Sequence, residues 1–206
     1  AAVVLSASDT DGDQLTYSVT ETPMHGVLSG DAPNLLYLPA QDWYGEDSFK
    51  FTVTDASGSA AEAVVTIFVA PANDLPVSVA QSISTNEDSA QSLELLAFDV
   101  DGDALTFDVT GLPEHGTLAG VPPNLVYTPD PNYYGADRMV YIAGDGSGIS
   151  TPGIVDVTVT PVNDPPVSYG STWPAIEDLP AEVLLQAYAV DGDPLTYTIT
   201  APPLHG

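Results

Sequence analysis

Apolar and polar residues alternate along much of the chain, with the two-residue period of a half-buried β-strand. Between residues 90 and 160, four runs alternate and a fifth short run is apolar. The alternating apolar positions are Leu93, Leu95 and Ala97; Leu105, Phe107 and Val109; Met139, Tyr141 and Ala143; and Val155, Val157 and Val159, and the short run contains Val126 and Tyr127. The intervening segments are rich in Gly, Pro, Asn and Asp, which favour turns. About seven strands without a helical period predict a β-sandwich.

The same pattern recurs with a period of 90 residues. His25-Gly26 returns as His115-Gly116 and His205-Gly206, and Asp11-Gly12-Asp13 returns at 101–103 and 191–193. Such even spacing indicates one structural unit repeated in tandem. The predicted domains are a sandwich at 1–76 that lacks its first strand, a complete sandwich at 77–166 and a partial one at 167–206. Prolines at 71 and 76, and at 161, 165 and 166, predict stiff, short linkers between them.

Charge narrows the range of partners. The chain has 29 acidic residues and two basic ones, for a net charge of −27, so it repels nucleic acid and anionic membrane surfaces. Its natural counterions are cations. The acidic composition has two alternative explanations, which are solubility and adaptation to high salt. The absence of cysteine excludes disulfides. No apolar run is long enough to span a bilayer, and no signal peptide is recognised, so we expect no direct membrane span in this segment.

Motifs in fixed order carry a family resemblance. The stretch from Phe51 to Gly58, followed by Ala63–Val69 and by Asn73-Asp74-Leu75-Pro76, resembles the end of a cadherin repeat. The fuller pattern adds Asp-x-Asp-Gly-Asp, Pro-x-His-Gly, Tyr-x-Pro and Tyr-Gly-x-Asp, and it is similar to the cadherin-like, immunoglobulin-like repeats of large bacterial surface or secreted proteins. The resemblance implies an all-β fold of tandem seven-stranded immunoglobulin-like (cadherin-like) sandwiches joined end to end. It also implies an extracellular or cell-surface location and calcium at the domain junctions.

The residue chemistry supports calcium independently, because Ca²⁺ takes six to eight oxygen ligands and crowded carboxylates repel one another without a cation. Acidic residues recur in loops that a sandwich places at its ends. By analogy with cadherins, an Asp before the sixth strand joins them. The predicted ligands of the first junction are Asp47, Asn73, Asp74, Glu87, Asp99, Asp101 and Asp103, and those of the second are Asp137, Asn163, Asp164, Glu177, Asp191 and Asp193. The alternative is that Asp and Asn serve only as turn residues.

One position distinguishes the two junctions. Ala189 stands where the other two copies of the loop have Asp9 and Asp99. If that Asp is a ligand, the second junction should bind its cation more weakly than the first.

The remaining recurrent residues favour structural roles. The His-Gly pairs lack a second His or a Cys to complete a zinc site and predict strand-entry turns. The runs Trp43-Tyr44-Gly45 and Tyr133-Tyr134-Gly135 fit aromatic corners packed against the sandwich end better than sugar platforms, and Asp55 and Asp145 are predicted to cap hairpin turns. No nucleophile-elbow motif is seen, and a catalytic site is not expected in every copy of a repeat, so we expect no enzyme.

Two functional hypotheses follow. In the first, calcium stiffens the array into a stalk or filament segment of a large adhesive surface protein. Its partners are then neighbouring repeats and other copies in a filament. In the second, the sandwich loops bind a surface carbohydrate or protein, as an adhesin module does. Similar motifs in every copy favour the first hypothesis.

Overall fold

The computed structural model describes residues 1–203, and every regular element within them is a β-strand. The predicted third His-Gly turn, at His205, lies outside the described residues. Among residues 1–203 no helix is long and apolar enough to cross a membrane. The strands are β1 (Ala2–Val4), β2 (Thr16–Glu21), β3 (Gly26–Asp31), β4 (Asn34–Pro39), β5 (Gly45–Thr54), β6 (Ala60–Val69), β7 (Val77–Ser78), β8 (Gln81–Asn86), β9 (Gln91–Glu94), β10 (Ala97–Phe98), β11 (Thr106–Gly111), β12 (Gly116–Val121), β13 (Asn124–Pro129), β14 (Gly135–Gly144), β15 (Gly153–Thr160), β16 (Val167–Tyr169) and β17 (Gln186–Tyr188).

The chain forms two compact units. Unit 1 contains Ala1–Pro76 together with the loops Phe98–Leu105 and Gly144–Ile149. Unit 2 contains Val77–Ala97, Thr106–Ala143 and the residues from Ser150 onward. The three repeat boundaries at 1–76, 77–166 and 167–206 follow from the sequence alone and stay predictions.

The first repeat is built from two antiparallel sheets. One has the strand order β1-β4-β3 and the other has the order β2-β5-β6. Inward residues of both sheets pack together in a core of Leu5, Leu35, Phe49 and Phe51. The alternation in β5, where Asp47, Phe49 and Phe51 are buried and their neighbours are more exposed, shows why these residues form a strand with one face inward.

The second repeat has the same two layers. Its two larger sheets have the orders β12-β13-β9 and β11-β14-β15-β8, and β10 pairs with β7 in a two-stranded sheet. The core between them confirms the predicted apolar alternation and consists of Leu93, Leu95, Leu125, Tyr127, Met139, Tyr141, Val155, Val157 and Val159. The predicted first and second strands are each interrupted, giving β7 with β8 and β9 with β10.

Strand β8 runs parallel to β15, in contrast to the antiparallel pairs around it. The register joins Gln81 to Val155 at one end and Asn86 to Thr160 at the other. The carboxyl end of β8 therefore lies beside the carboxyl end of β15, from which the chain continues into the second linker. This pairing determines where Glu87, the residue after β8, is placed.

Candidate metal centre

The first acidic group is formed by the loop at 99–103. Asp99 Oδ1 accepts hydrogen bonds from the backbone N–H groups of Asp101 (3.0 Å) and Asp103 (3.2 Å). Gly102, at φ 78°, supplies the left-handed residue that lets the loop turn. One carboxylate oxygen from each of the three aspartates lies within 4.8 Å of the others. The local backbone thus holds three negative charges together.

The first linker joins this loop within unit 1. The backbone N–H of Asp74 donates to Asp101 Oδ2 at 2.7 Å. The Asn73 side-chain amide donates to Asp145 Oδ2 at 2.9 Å. Asp145 uses its other oxygen to accept the N–H groups of Ser147 and Gly148, each at 2.6 Å, which confirms its predicted role as a turn cap. The predicted ligands Asn73, Asp74, Asp99, Asp101 and Asp103 are therefore gathered in one unit.

Asp42 is a further carboxylate near Asp74 that was not predicted from the sequence. Burial raises the pKa of Asp74 above its usual value, and the neighbouring carboxylates of Asp42, Asp101 and Asp99 raise it further. Asp42 occupies a left-handed turn, with φ 56°. No spacing signal marks it, because its counterpart in the second repeat is Asn132. It adds a carboxylate from the first repeat to the group.

The second acidic group lies in unit 2 and repeats the linker geometry. The N–H of Asp164 donates to Asp191 Oδ2 at 2.6 Å, matching the bond from Asp74 to Asp101. Burial raises the pKa of Asp164, and the negative charges of Asp191, Asp88 and Glu87 raise it further. Asn163 turns its side-chain amide to the carbonyl oxygen of Asp164, at 3.3 Å.

The structure places Glu87, a predicted ligand of the first junction, beside the second linker. Glu87 is 2% exposed, and its Oε1 accepts the N–H of Val162, in the second linker, at 2.5 Å. The reason is the parallel pairing of β8 with β15, which carries the residue after β8 to the exit of its own repeat. Glu177, the counterpart of Glu87 in the third repeat, lies in an exposed turn. The assignment of Glu177 to the second junction stays a prediction.

The structure places Asp47 and Asp137, two predicted ligands, in hydrogen-bonded networks inside the sandwiches. Asp47 is 4% exposed and accepts hydrogen bonds from the N–H groups of Met24, His25 and Ser48 and from the Tyr37 hydroxyl, at 2.8–3.0 Å. Asp137 accepts the same four kinds of bond from Glu114, His115, Arg138 and Tyr127. Both oxygens of each carboxylate are thus occupied. The sequence pattern itself indicates that Asp47 is buried, because Asp47 is in phase with the inward residues Phe49 and Phe51.

The buried hydrogen-bond networks of Asp47 and Asp137 explain why the His-Gly pairs recur. His25 supplies a backbone N–H to Asp47, and its ring stacks on Trp43 with centroids 4.4 Å apart. His115 stacks on Tyr133 in the same way, at 4.1 Å. A Cβ at Gly26 would overlap the Tyr37 ring, so only glycine fits there. The described His-Gly pairs are strand-entry turns, as predicted. Trp43 and Tyr133 form the aromatic corners beside them, whereas Tyr44 and Tyr134 are 57% and 59% exposed.

The two acidic groups differ at the first position of the loop. Ala189 is buried and offers no carboxylate where Asp99 stands in the first group. Asp191 and Asp193 of the second loop are exposed. The second group instead has Glu87 and Asp88, which enter from β8 and the turn after it. The first group therefore has one more acidic residue in its loop, whereas the second group has two acidic residues directly after β8.

The donor set fits calcium. Within residues 1–203, three enclosed carboxylate oxygens of these groups have no hydrogen-bond partner: Glu87 Oε2, Asp99 Oδ2 and Asp164 Oδ2. An enclosed carboxylate oxygen without a donor is costly unless a cation neutralises it. Ca²⁺ prefers oxygen ligands such as carboxylates and carbonyls, whereas softer metals prefer sulfur or nitrogen ligands.

Comparison with known proteins agrees with this fold. The sequence model of the bacterial Ig domain family matches residues 1–68 and 73–158. A curated relative, Protein GAMETE EXPRESSED 2 of Arabidopsis thaliana, is 36% identical over 77 residues. Those residues are 37% of this chain, and the match spans only 8% of the length of that protein.

Two solved structures share the architecture. Human CDH23 EC21-23 matches with a TM-score of 0.56 and 15% identity, over 85% of this chain and 68% of that one. Protocadherin Gamma B7 extracellular cadherin domains 1-4 match with a TM-score of 0.55 and 15% identity, over 92% of this chain and 55% of that one. At such identities the likeness shows the fold. The chain belongs to the bacterial Ig domain family, and its tandem repeats are cadherin-like, immunoglobulin-like β-sandwiches.

Proposed function

We propose that this chain is a structural, non-enzymatic segment of an extracellular repeat array whose linkers are held by calcium. The observation that carries the proposal is the pair of acidic groups built around the linker aspartates Asp74 and Asp164. In each group the linker N–H donates to the second aspartate of an Asp-Gly-Asp loop. Enclosed carboxylate oxygens without donors accompany both of them.

Charge repulsion makes the linker sensitive to cations. The raised pKa values of Asp74 and Asp164 mean that each carboxylate pays for burial and for the negative charges beside it. Bound calcium would supply the positive charge that offsets this repulsion. Asp42, Asp74, Asp99, Asp101 and Asp103 would hold it in the first group. Glu87, Asp88, Asp164, Asp191 and Asp193 would hold it in the second.

Backbone contacts favour a structural result of binding. Hydrogen bonds to the linker at Asp74 and Asp164, and proline at both ends of each linker, leave few freely rotating bonds there. A cation that draws the loop carboxylates toward the linker would therefore order a segment that is already short and stiff. We infer that calcium makes each linker more rigid than it is without the ion.

The wider setting belongs to the same proposal. A tandem array of the bacterial Ig domain family with rigid linkers suits a stalk, spacer or filament segment of a large, adhesive bacterial surface protein. Its partners would be the neighbouring repeats of its own chain and other copies. Buried carboxylates that stabilise the fold and acidic groups confined to the linkers support a structural role over a catalytic one.

Calcium titration of the intact chain tests the proposal. We expect isothermal titration to show binding, and we expect calcium to raise the melting temperature relative to chelator and to change the dimensions measured by X-ray scattering. Asp101→Asn should weaken binding by about tenfold or more, since it removes a charge beside the linker.

The matched control is Asp31→Asn, which removes one exposed charge outside both groups. It should leave calcium binding unchanged. Equal losses in Asp101→Asn and Asp31→Asn would show that the chain only attracts cations through its net charge. Identical melting and scattering with and without calcium would refute the linker proposal.

A further inference from the structure

Asp-Gly pairs occur at 11–12, 101–102, 145–146 and 191–192. Each turn uses glycine because the φ angle there lies between 76° and 89°. The same glycine leaves the backbone nitrogen after Asp unshielded by any side chain. We propose that Asp11-Gly12 is a site of spontaneous isomerisation to isoaspartate, and that hydrogen bonds from the linkers protect Asp101 and Asp191 from this reaction. The inference does not depend on calcium and goes beyond the proposed function.

The reaction needs no reagent besides water. The backbone nitrogen of Gly12 attacks Cγ of the Asp11 carboxyl group in its acid form, and an N–C bond forms. The carboxyl hydroxyl leaves with the amide proton as water, which gives a cyclic succinimide. Water then adds to one of the two succinimide carbonyls and breaks its bond to nitrogen. Opening at Cγ restores Asp, whereas opening at the backbone carbonyl gives isoaspartate, whose main chain is one carbon longer.

Both reacting groups are free at the first pair. Within residues 1–203 the exposed Asp11 carboxylate accepts no hydrogen bond, and the Gly12 N–H donates none. The turn is held by Asp9 instead, because its Oδ1 accepts the N–H groups of Asp11 at 2.8 Å and Asp13 at 3.1 Å. A Cβ at Gly12 would meet no atom within 4 Å, so the space around the pair is open. The Asp11 carboxyl group can therefore rotate toward the Gly12 nitrogen without losing a partner.

The matching aspartates of the other two loops are held by the linkers. Asp101 Oδ2 accepts the Asp74 N–H at 2.7 Å, and Asp191 Oδ2 accepts the Asp164 N–H at 2.6 Å. Either carboxyl group must break this bond before it can turn toward the following glycine. A hydrogen bond to a charged group is strong enough to reduce the population of the turned state by about tenfold. The linker N–H thus acts as a protecting group for a labile Asp-Gly sequence that the turn requires.

Further hydrogen bonds distinguish the remaining pairs. The attacking nitrogen is occupied in the third loop, where the Gly192 N–H donates to the Ala189 carbonyl oxygen at 3.1 Å. Both oxygens of Asp145 are occupied, since Oδ1 accepts the Ser147 N–H at 2.6 Å and Oδ2 accepts the Asn73 amide at 2.9 Å. The expected order of rates, from fastest to slowest, is Asp11, then Asp101 and Asp145, then Asp191.

Incubation of the intact chain in chelator at neutral pH tests the inference, because chelator removes any effect of calcium on the loops. Peptide mass spectrometry with electron-transfer fragmentation measures isoaspartate at each pair, and a succinimide is lighter by one water. We expect Asp11 to isomerise about tenfold faster than Asp101. In denaturant the difference should disappear. No isoaspartate at Asp11, equal rates in the folded chain, or the same order of rates in denaturant would each overturn the inference.

Two variants of one linker residue isolate the protecting bond. Asp74→Pro removes both the carboxylate and the N–H donor, whereas the matched control Asp74→Ala removes the carboxylate and keeps the N–H. Melting curves verify that both variants fold. Asp74→Pro should raise the rate at Asp101 about tenfold, close to the rate at Asp11, while Asp74→Ala leaves it near the wild-type rate. The rate at Asp191 should be unchanged in both. Equal rates at Asp101 in the two variants would refute protection by the linker N–H.

Discussion

Two sets of aspartates in this molecule have opposite environments. Asp47 and Asp137 lie inside the sandwiches, where burial opposes ionisation but hydrogen bonds from a tyrosine and three backbone N–H groups outweigh it and lower the pKa. Asp74 and Asp164 lie in the linkers, where burial and neighbouring carboxylates raise the pKa. Both sets recur with the 90-residue period. Recurrence alone therefore does not show whether an aspartate lies inside a sandwich or in a linker.

The largest effect should come from removing a buried carboxylate. Asp137→Ala leaves three backbone N–H groups and the Tyr127 hydroxyl without their acceptor, and we expect a loss of about 3 kcal/mol or more from the stability of the second repeat. Chemical denaturation measures it. Asp101→Ala in the linker group, measured in chelator, should change stability by less than about 1 kcal/mol, because it relieves repulsion while losing one hydrogen bond. A similar large loss in both variants would remove the distinction between the two sets.

Acid should separate the two sets in a second way. Since the pKa of Asp47 and of Asp137 is lowered in the folded chain, their contribution is complete above the unfolded pKa of about 3.9 and is lost as the pH falls toward the folded value. We expect the melting temperature in chelator to fall below about pH 4. In Asp47→Asn, which cannot take up that proton, the same fall should be shallower. An unchanged slope in this variant would contradict the assignment.

The smallest effect should come from the loop position that distinguishes the two linker groups. Asp99→Ala gives the first loop the residue that the second loop has at 189, and we expect calcium affinity at the first group to fall by about tenfold with little change in melting in chelator. The reverse change, Ala189→Asp, should strengthen binding at the second group. Titration calorimetry measures both. If the substitutions change melting in chelator but not calcium affinity, Asp99 acts mainly as the cap of its own loop.

Sequence patterns predicted the strands well because burial in a sandwich imposes a period of two. Met139, Tyr141 and Ala143 are buried as the alternation required, and so are Val155, Val157 and Val159. The same period, applied to Asp47, would have placed it inside with Phe49. The resemblance to cadherin repeats predicted a place at the junction instead. Local pattern was the better guide for this residue.

The linker groups needed information that the sequence does not contain locally. Glu87 reaches Val162, which is 75 residues away, only because β8 runs parallel to β15. Strand direction follows from the long-range pairing, which alternation does not specify. Asp42 was missed for a related reason, since its approach to Asp74 depends on a left-handed turn and its counterpart is not acidic. The grouping of Asp99, Asp101 and Asp103 was predictable because it depends only on their own loop.

The parallel ladder between β8 and β15 also has a mechanical consequence. The chain enters the second repeat at the Gln81 end of this ladder and leaves it at the Thr160 end, six residue pairs later. Tension on the two ends of the repeat therefore pulls the two strands in opposite directions along their length. The hydrogen bonds of the ladder then bear the load together in shear, instead of opening one after another as in an unzipped hairpin. A repeat connected in this way is suited to transmit force along a chain.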